Sequence, residues 1–216
     1  MKKLYFLYPL LIALSFVLTG VLLTFMPEQV PMHYDVTGLA DRIGSKYEYF
    51  IFPALSLLIS ALFIVLARRR KQHSSEEKVF AATGLFLLLF FNILGGYFMV
   101  QAITYSSAGK PDMEQHIFRF TFIAIGLLLV VMGNLMPKFR RNSAIGIRTT
   151  WSMSSDSVWQ KSQRFGGFAS VICGLAMILF SSFLPDIACL IVNSLLILGW
   201  VIASTVASYK YYKAEQ

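Results

Sequence analysis

The 216-residue chain is 56% apolar, 15% aromatic and only 14% charged, with a mean hydropathy of +0.64. A soluble domain carries roughly a quarter charged residues, so too little charge is left here to coat a globule, and the apolar content excludes disorder. The expected class is a polytopic membrane protein. The net charge of +8 is then a question of topology rather than of nucleic-acid binding, for which the sequence offers no recognition module.

A helix needs about 20 apolar residues to cross the hydrocarbon core. Six stretches free of Asp, Glu, Lys and Arg meet that need, at about 4–26, 49–67, 80–103, 120–136, 166–184 and 187–208. The expected fold is therefore all-α: a six-helix membrane bundle forming a single integral membrane domain over 1–216. The first stretch follows Met1-Lys2-Lys3, yet it is longer than the apolar core of a signal peptide and lacks a small-residue cleavage site, so it is expected to stay attached. The last two spans are separated only by Pro185-Asp186, which allows nothing but an antiparallel helical hairpin. Ser170 and Gly174 give that hairpin a small-x-x-x-small step at which backbones can approach. Cys173 and Cys189 fall on these consecutive helices at different depths, an arrangement that disfavours a disulfide.

Orientation follows from the basic residues, which are retained on the cytoplasmic side. The N-terminus, residues 68–79, residues 137–165 and the C-terminus together hold 15 Lys and Arg, against 4 on the alternate set of loops. Both termini are thus expected in the cytoplasm of a bacterial cell membrane.

Inside the spans there is no acidic, basic or histidine side chain, which removes the groups that proton relays and ion-coupled pumps rely on. Asn92, Gln101, Asn134 and Asn193 remain, and interhelical hydrogen bonding is their simplest role. Catalytic motifs, phosphate-cradling glycine loops and cofactor fingerprints are absent from the sequence, so no enzyme and no cofactor is expected. His33, Asp35, Asp41 and His116 fit no standard metal-ligand spacing.

Two loops carry the remaining information. In the first outer loop, 27–48, Met32, Tyr34 and Val36 alternate with His33 and Asp35 as a short strand would, and Thr37-Gly38 permits a turn. A small ordered cap is expected. It can be purely structural or can present His33, Tyr34, Asp35, Gly38, Asp41, Ser45 and Lys46 to a ligand. In the long inner loop, 137–165, Ser154 or Ser155 is placed to cap a helix with Asp156 in its first turn. Val158, Ser162 and Phe165 share one side with Trp159 beside them, while Lys161 and Arg164 face lipid phosphates. This describes a short helix at the membrane interface, serving as an anchor or as a contact surface for a partner.

The stretch from Gly146-Ile147-Arg148-Thr149-Thr150-Trp151 through Ser155-Asp156-Ser157-Val158-Trp159-Gln160-Lys161 to Arg164-Phe165-Gly166-Gly167 resembles the signature of the SdpI family of bacterial immunity proteins. Val30-Pro31-Met32-His33, followed by Gly38, Asp41, Ser45 and Lys46, is similar to a segment near the N-terminus of the same family. The chain departs from the inner signature at Thr150 (usually Pro), Ser152 and Ser162 (Thr), Met153 (Leu) and Gln163 (His). The first change relaxes the turn before Trp151, and the last removes a hydrogen-bond donor. The resemblance implies immunity against a secreted toxic peptide bound at the outer face or in the bilayer. It also implies a second role, holding a soluble transcriptional repressor at the inner face through Gly146, Arg148, Thr149, Trp151, Ser155, Trp159, Lys161, Arg164 and Gly167. Two other readings compete with it: a small transporter or flippase for an apolar solute, and a membrane-bound regulatory docking protein.

The charge distribution makes a topological prediction. With Cys173 and Cys189 replaced, single cysteines at Ser74 and Ser143 should resist an impermeant thiol reagent in intact cells, while one at Gly109 should react. The opposite pattern would invert the orientation.

Overall fold

The computed structural model describes residues 2–35, 40–69, 75–108, 117–142 and 144–216. The helices are α1 (Lys2–Thr24), α2 (Ile51–Arg68), α3 (Ser75–Ala108), α4 (Ile117–Leu135), α5 (Asp156–Phe183) and α6 (Asp186–Lys213). Between α1 and α2 stands an antiparallel hairpin of β1 (Gln29–Tyr34) and β2 (Ala40–Ser45), followed by one 3-10 turn over Lys46–Phe50. Each of the six helices contains a stretch long and apolar enough to cross a bilayer. Many large apolar side chains on them, such as Phe16, Leu58, Leu179 and Leu195, are uncovered. Such rows would be an aggregation surface in water and are the ordinary outer surface of a bundle in lipid. This is the expected six-span helical membrane protein.

The chain divides into two compact units, Met1–Ile117 and Phe118–Gln216. In the first, α1, α2 and α3 pack against one another. Because side chains gain little by leaving lipid for a protein interior, polar clasps and close packing must hold such helices together. Tyr8 donates its hydroxyl to the Ala81 carbonyl at 2.8 Å, joining α1 to α3. Ser56 and Ser15 meet at 3.2 Å between α2 and α1. The hairpin closes one end, with Val30 buried against Leu23, Met26, Tyr49 and Met99. The Tyr49 hydroxyl donates to the Pro31 carbonyl at 3.2 Å, fixing the hairpin to the start of the second span.

In the second unit glycine decides the packing of α4 on α5. A β-carbon built on Gly133 would lie 2.6 Å from the Gly167 carbonyl oxygen, and one on Gly167 only 2.5 Å from that of Gly133. Gly126 and Gly174 repeat the arrangement two turns away, at 2.7 and 2.4 Å. Between the two crossings Ser170 donates to the Leu129 carbonyl at 2.9 Å. The small step read from Ser170 and Gly174 is thus an α4–α5 contact. The α5–α6 hairpin is held near its turn by Asn193, whose Nδ2 donates to Ser181 Oγ at 3.0 Å and to the Cys189 carbonyl at 2.7 Å. Near its middle Trp200 donates its indole N–H to the Gly166 carbonyl at 3.1 Å. Asn193 therefore bonds between helices as expected. Asn92 and Asn134 instead donate to carbonyls one turn back on their own helices. Cys173 and Cys189 are both free thiols.

One expectation is corrected. The inner-loop helix does begin after Ser155, whose hydroxyl accepts from the Val158 N–H at 3.1 Å. It is not a separate interfacial helix, because it runs without a break from Asp156 to Phe183 into the fifth span. Gly166-Gly167 sit inside the helix where α4 and the loop approach it.

Substituting Gly133 or Gly167 by alanine should force α4 away from α5 and destabilise the second unit by about 1–3 kcal/mol. Gly199→Ala, where a β-carbon meets nothing within 4 Å, should be neutral or stabilising. Unfolding midpoints of the three variants in one detergent test this.

Candidate functional site

Two ordered loops present the residues singled out by the sequence. On the hairpin, His33 Nδ1 lies 2.5 Å from Asp41 Oδ1 across the strands, and both side chains are largely exposed, at 66% and 47%. A pair exposed to this degree adds little to stability. Ser45 and Lys46 are occupied otherwise. Ser45 forms a reciprocal cap with Glu48, whose carboxylate accepts from the Ser45 N–H at 3.1 Å and also pairs with Arg42 at 2.7 Å. Such caps satisfy backbone donors that a helix start leaves open. Lys46 Nζ reaches Glu28 at 3.0 Å and the Met26 carbonyl at 3.4 Å, tying the end of β2 to the end of α1. Tyr34 and Asp35 are half-buried at the end of β1. Gly38 and His116 lie outside the described residues.

The loop between α4 and α5 is a fixed structure made by side chains that replace missing backbone partners. Asn142 accepts from the N–H groups of Ala144 and Ile145, both at 2.8 Å, and donates to the carbonyls of Arg140 and Ile145. Gly146 follows with φ of +110°, and a β-carbon there would strike the Gln163 amide at 2.5 Å. Only glycine meets both demands. Gln163, completely buried on α5, then holds both backbone groups of Ile147: Oε1 accepts its N–H at 3.0 Å and Nε2 donates to its carbonyl at 2.9 Å. The departure from histidine therefore keeps a donor, and the amide sets it beside an acceptor so that both reach Ile147, correcting the loss expected from sequence.

The turn before Trp151, expected to be loose without proline, is closed by exchange between Thr149 and Ser152. Each N–H donates to the other's hydroxyl at 2.9 Å, and Ser152 Oγ also donates to the Ile147 carbonyl at 2.8 Å. The Thr149 hydroxyl meets Ser208 on α6. Trp151 lies edge-on to Tyr209 of α6 with ring centres 5.0 Å apart.

Trp159 does not fit the anchor reading. It is 1% exposed, and its indole N–H donates to the Phe139 carbonyl at 2.7 Å. A membrane anchor must reach the interface, whereas this ring fills the space beneath the loop. Lys161 is exposed but is engaged by Glu215 at 3.2 Å. That carboxylate also takes hydrogen bonds from Ser157 and from Ser155, the latter at 2.7 Å. The Ser157 hydroxyl first, then Ser155 and Lys161, hold the Glu215 carboxyl below its ordinary range. Gly167 belongs to the α4–α5 crossing. Arg148 and Arg164 are exposed, and Arg148 has no hydrogen bond or ion pair among the described residues. Of the nine residues expected on this surface, these two arginines stay exposed and without a partner among the described residues, while the others mostly build the loop.

Sequence reasoning missed Gln163, Asn142, Ser152, Ser208 and Glu215. Gln163 had a usable signal: Trp159, Gln163, Gly166 and Gly167 follow helical spacing and define the buried face. The pairing of Glu215 with α5 had none, because 54 residues separate it from Lys161.

Fold and loops together define a class: a polytopic helical membrane protein with one ordered hairpin and one ordered interhelical loop. Residues 138–208, which make that loop and the α5–α6 hairpin, match the SdpI/YfhL protein family, and residues 10–57 match a domain of unknown function, DUF1648. The chain is 28% identical over 204 residues to the Immunity protein SdpI of Bacillus subtilis (strain 168), covering 94% of this chain and 93% of that protein. No solved structure matches. The resemblance drawn from the inner motif is borne out: this six-span membrane protein is similar to the SdpI/YfhL family over the inner loop and last two spans, and to the Immunity protein SdpI along nearly its whole length.

Gln163→Leu should leave the Ile147 N–H without its partner and its carbonyl with Ser152 alone, and cost about 1–3 kcal/mol locally. Hydrogen exchange over residues 144–153 should accelerate, while the amides of α4 stay protected. Gln163→His should fall between leucine and the native residue, since one imidazole cannot reach both groups of the same residue. Equal exchange in all three proteins would show that the amide does not hold the loop.

Proposed function

We propose that this protein gives a bacterial cell immunity to a secreted toxic peptide. The observation that carries the reading is the likeness to the Immunity protein SdpI along nearly the whole of both chains. In this reading the basic loops face the cytoplasm, so the hairpin and its His33–Asp41 pair face outward. The pair is flanked on the cap by the exposed apolar side chains of Ile43, Tyr47 and Phe50. A peptide that kills by entering a membrane presents apolar and charged groups together. A surface combining exposed aromatic and aliphatic side chains with an exposed His33–Asp41 pair suits it, because anchors of that kind supply most of the energy in an interface.

The inner loop supports a finer role, recruitment of a soluble repressor. With Trp159 inside and Trp151 against Tyr209, the exposed arginines rather than the tryptophans are left to meet such a partner. Arg164, one helical turn beyond Lys161, is the residue we assign to that contact.

Expression in a toxin-sensitive bacterium should raise survival, and His33→Ala combined with Asp41→Ala should lower it without reducing the protein in the membrane. Arg164→Ala should leave survival intact and release a repressor from the membrane fraction. If the unaltered protein protects against no peptide of this class, the immunity reading fails; if Arg164→Ala lowers survival and protein level together, the arginine is structural.

A further inference from the structure

The second unit contains a cavity of about 340 Å3 bounded by α4, the loop over 145–149 and α6. Its size is at the lower end of small-molecule sites, and it is too narrow for a helix 10–12 Å across. The lining changes character with depth. At the loop end are Arg148 and Thr149; further in, on α6, is Ser204; one turn deeper are Trp200 and, on α4, Leu129 and Met132. From the level of Ser208, which meets Thr149, Ser204 lies about 6 Å inward and Trp200 about 12 Å, at the rise of an α-helix.

Ser204 and Arg148, both in the lining of this cavity, lack partners among the described residues. Ser204 is 4% exposed and its hydroxyl has no hydrogen-bond partner. A buried hydroxyl is normally satisfied, so this one points to an acceptor supplied from outside the chain. Arg148 at the rim carries a guanidinium with no carboxylate on it, at the basic end of the unit. The order from rim to floor is therefore cation, the hydroxyl donors of Ser204 and Thr205, apolar wall. A membrane lipid has the same order: charged phosphate, ester carbonyl, acyl chain.

We propose that this cavity is a binding site for one anionic phospholipid, with its phosphate on Arg148, an ester carbonyl accepting from Ser204 Oγ and part of one acyl chain against Leu129, Met132 and Trp200. Lipid is favoured over a soluble anion because the floor is apolar and the cavity belongs to a helical unit that stands in the bilayer, where acyl chains surround it. An anionic head is favoured over a zwitterionic one because the choline group would place a second cation beside Arg148. The site stands apart from the immunity reading, involving neither the hairpin nor Arg164.

The test is native mass spectrometry of the full chain in mild detergent, titrated with phosphatidylglycerol or phosphatidylcholine carrying the same acyl chains. One tightly held phosphatidylglycerol is expected, retained about tenfold better than phosphatidylcholine, as one charge-assisted contact would give. Arg148→Gln should bring the two lipids to parity, and Lys213→Gln, an exposed cation near the C-terminus, should leave the preference unchanged. Ser204→Phe, which fills the cavity, should abolish the tight adduct of either lipid. Val201→Trp, at the cavity wall, serves the same purpose should Ser204→Phe not fold. Glycerol phosphate, the head without a chain, should not compete at millimolar concentration. Equal retention of both lipids by the native protein, an equal effect of Lys213→Gln, survival of the adduct with the cavity filled, or displacement by glycerol phosphate would each overturn the proposal.

Discussion

The second unit depends on a side-chain amide that takes the place of secondary structure. In a bilayer or at its boundary, an unpaired backbone group has little water to turn to, and the described residues of the segment over 139–155 are neither helix nor strand. Gln163 supplies Ile147 with both partners that a neighbouring strand would have supplied. Around it, Asn142, Ser152 and the indole of Trp159 do the same for the carbonyls and N–H groups on either side. The loop therefore has one conformation, and through Thr149 and Trp151 it is laid against α6. The wall of the cavity exists because that conformation is fixed.

The hairpin of the first unit follows the same physics under milder conditions. Its strands satisfy each other, so side chains are needed only where the ladder ends: at the Ser45–Glu48 cap, at Lys46 over the end of α1, and at Tyr49 against Pro31. The His33–Asp41 pair is left over from this accounting. A pair exposed on both sides adds little to stability, which separates it from Ser45 and Lys46 although all four looked alike as loop residues.

Helix packing in the two units rests on different devices. The first joins its helices by hydroxyl clasps, Tyr8 to Ala81 and Ser56 to Ser15. The second brings α4 and α5 into backbone contact at two glycine crossings, and close approach of this kind is how helices associate where the hydrophobic effect gives no driving force between them. Both devices are local, and neither needs a charge within the membrane.

The number of spans, their class and an ordered outer cap were legible in the sequence, because apolar run length and charge placement are set by the bilayer and not by which helices touch. One strand of the hairpin could be read from alternation, and the cap at Ser155 from its hydroxyl and the aspartate after it. What tertiary structure decided was which side of each residue faces the protein. Trp159, Arg164 and Lys161 look alike as interfacial residues in a list, yet Trp159 is enclosed, Lys161 is bonded to a glutamate 54 residues away and Arg164 is free. Interfacial residue types are chosen by amphipathicity, which fits a buried role beneath a polar loop as well as an exposed role beside lipid. Only the path of the chain over 139–155, set by hydrogen bonds to residues on a later helix, separates the two.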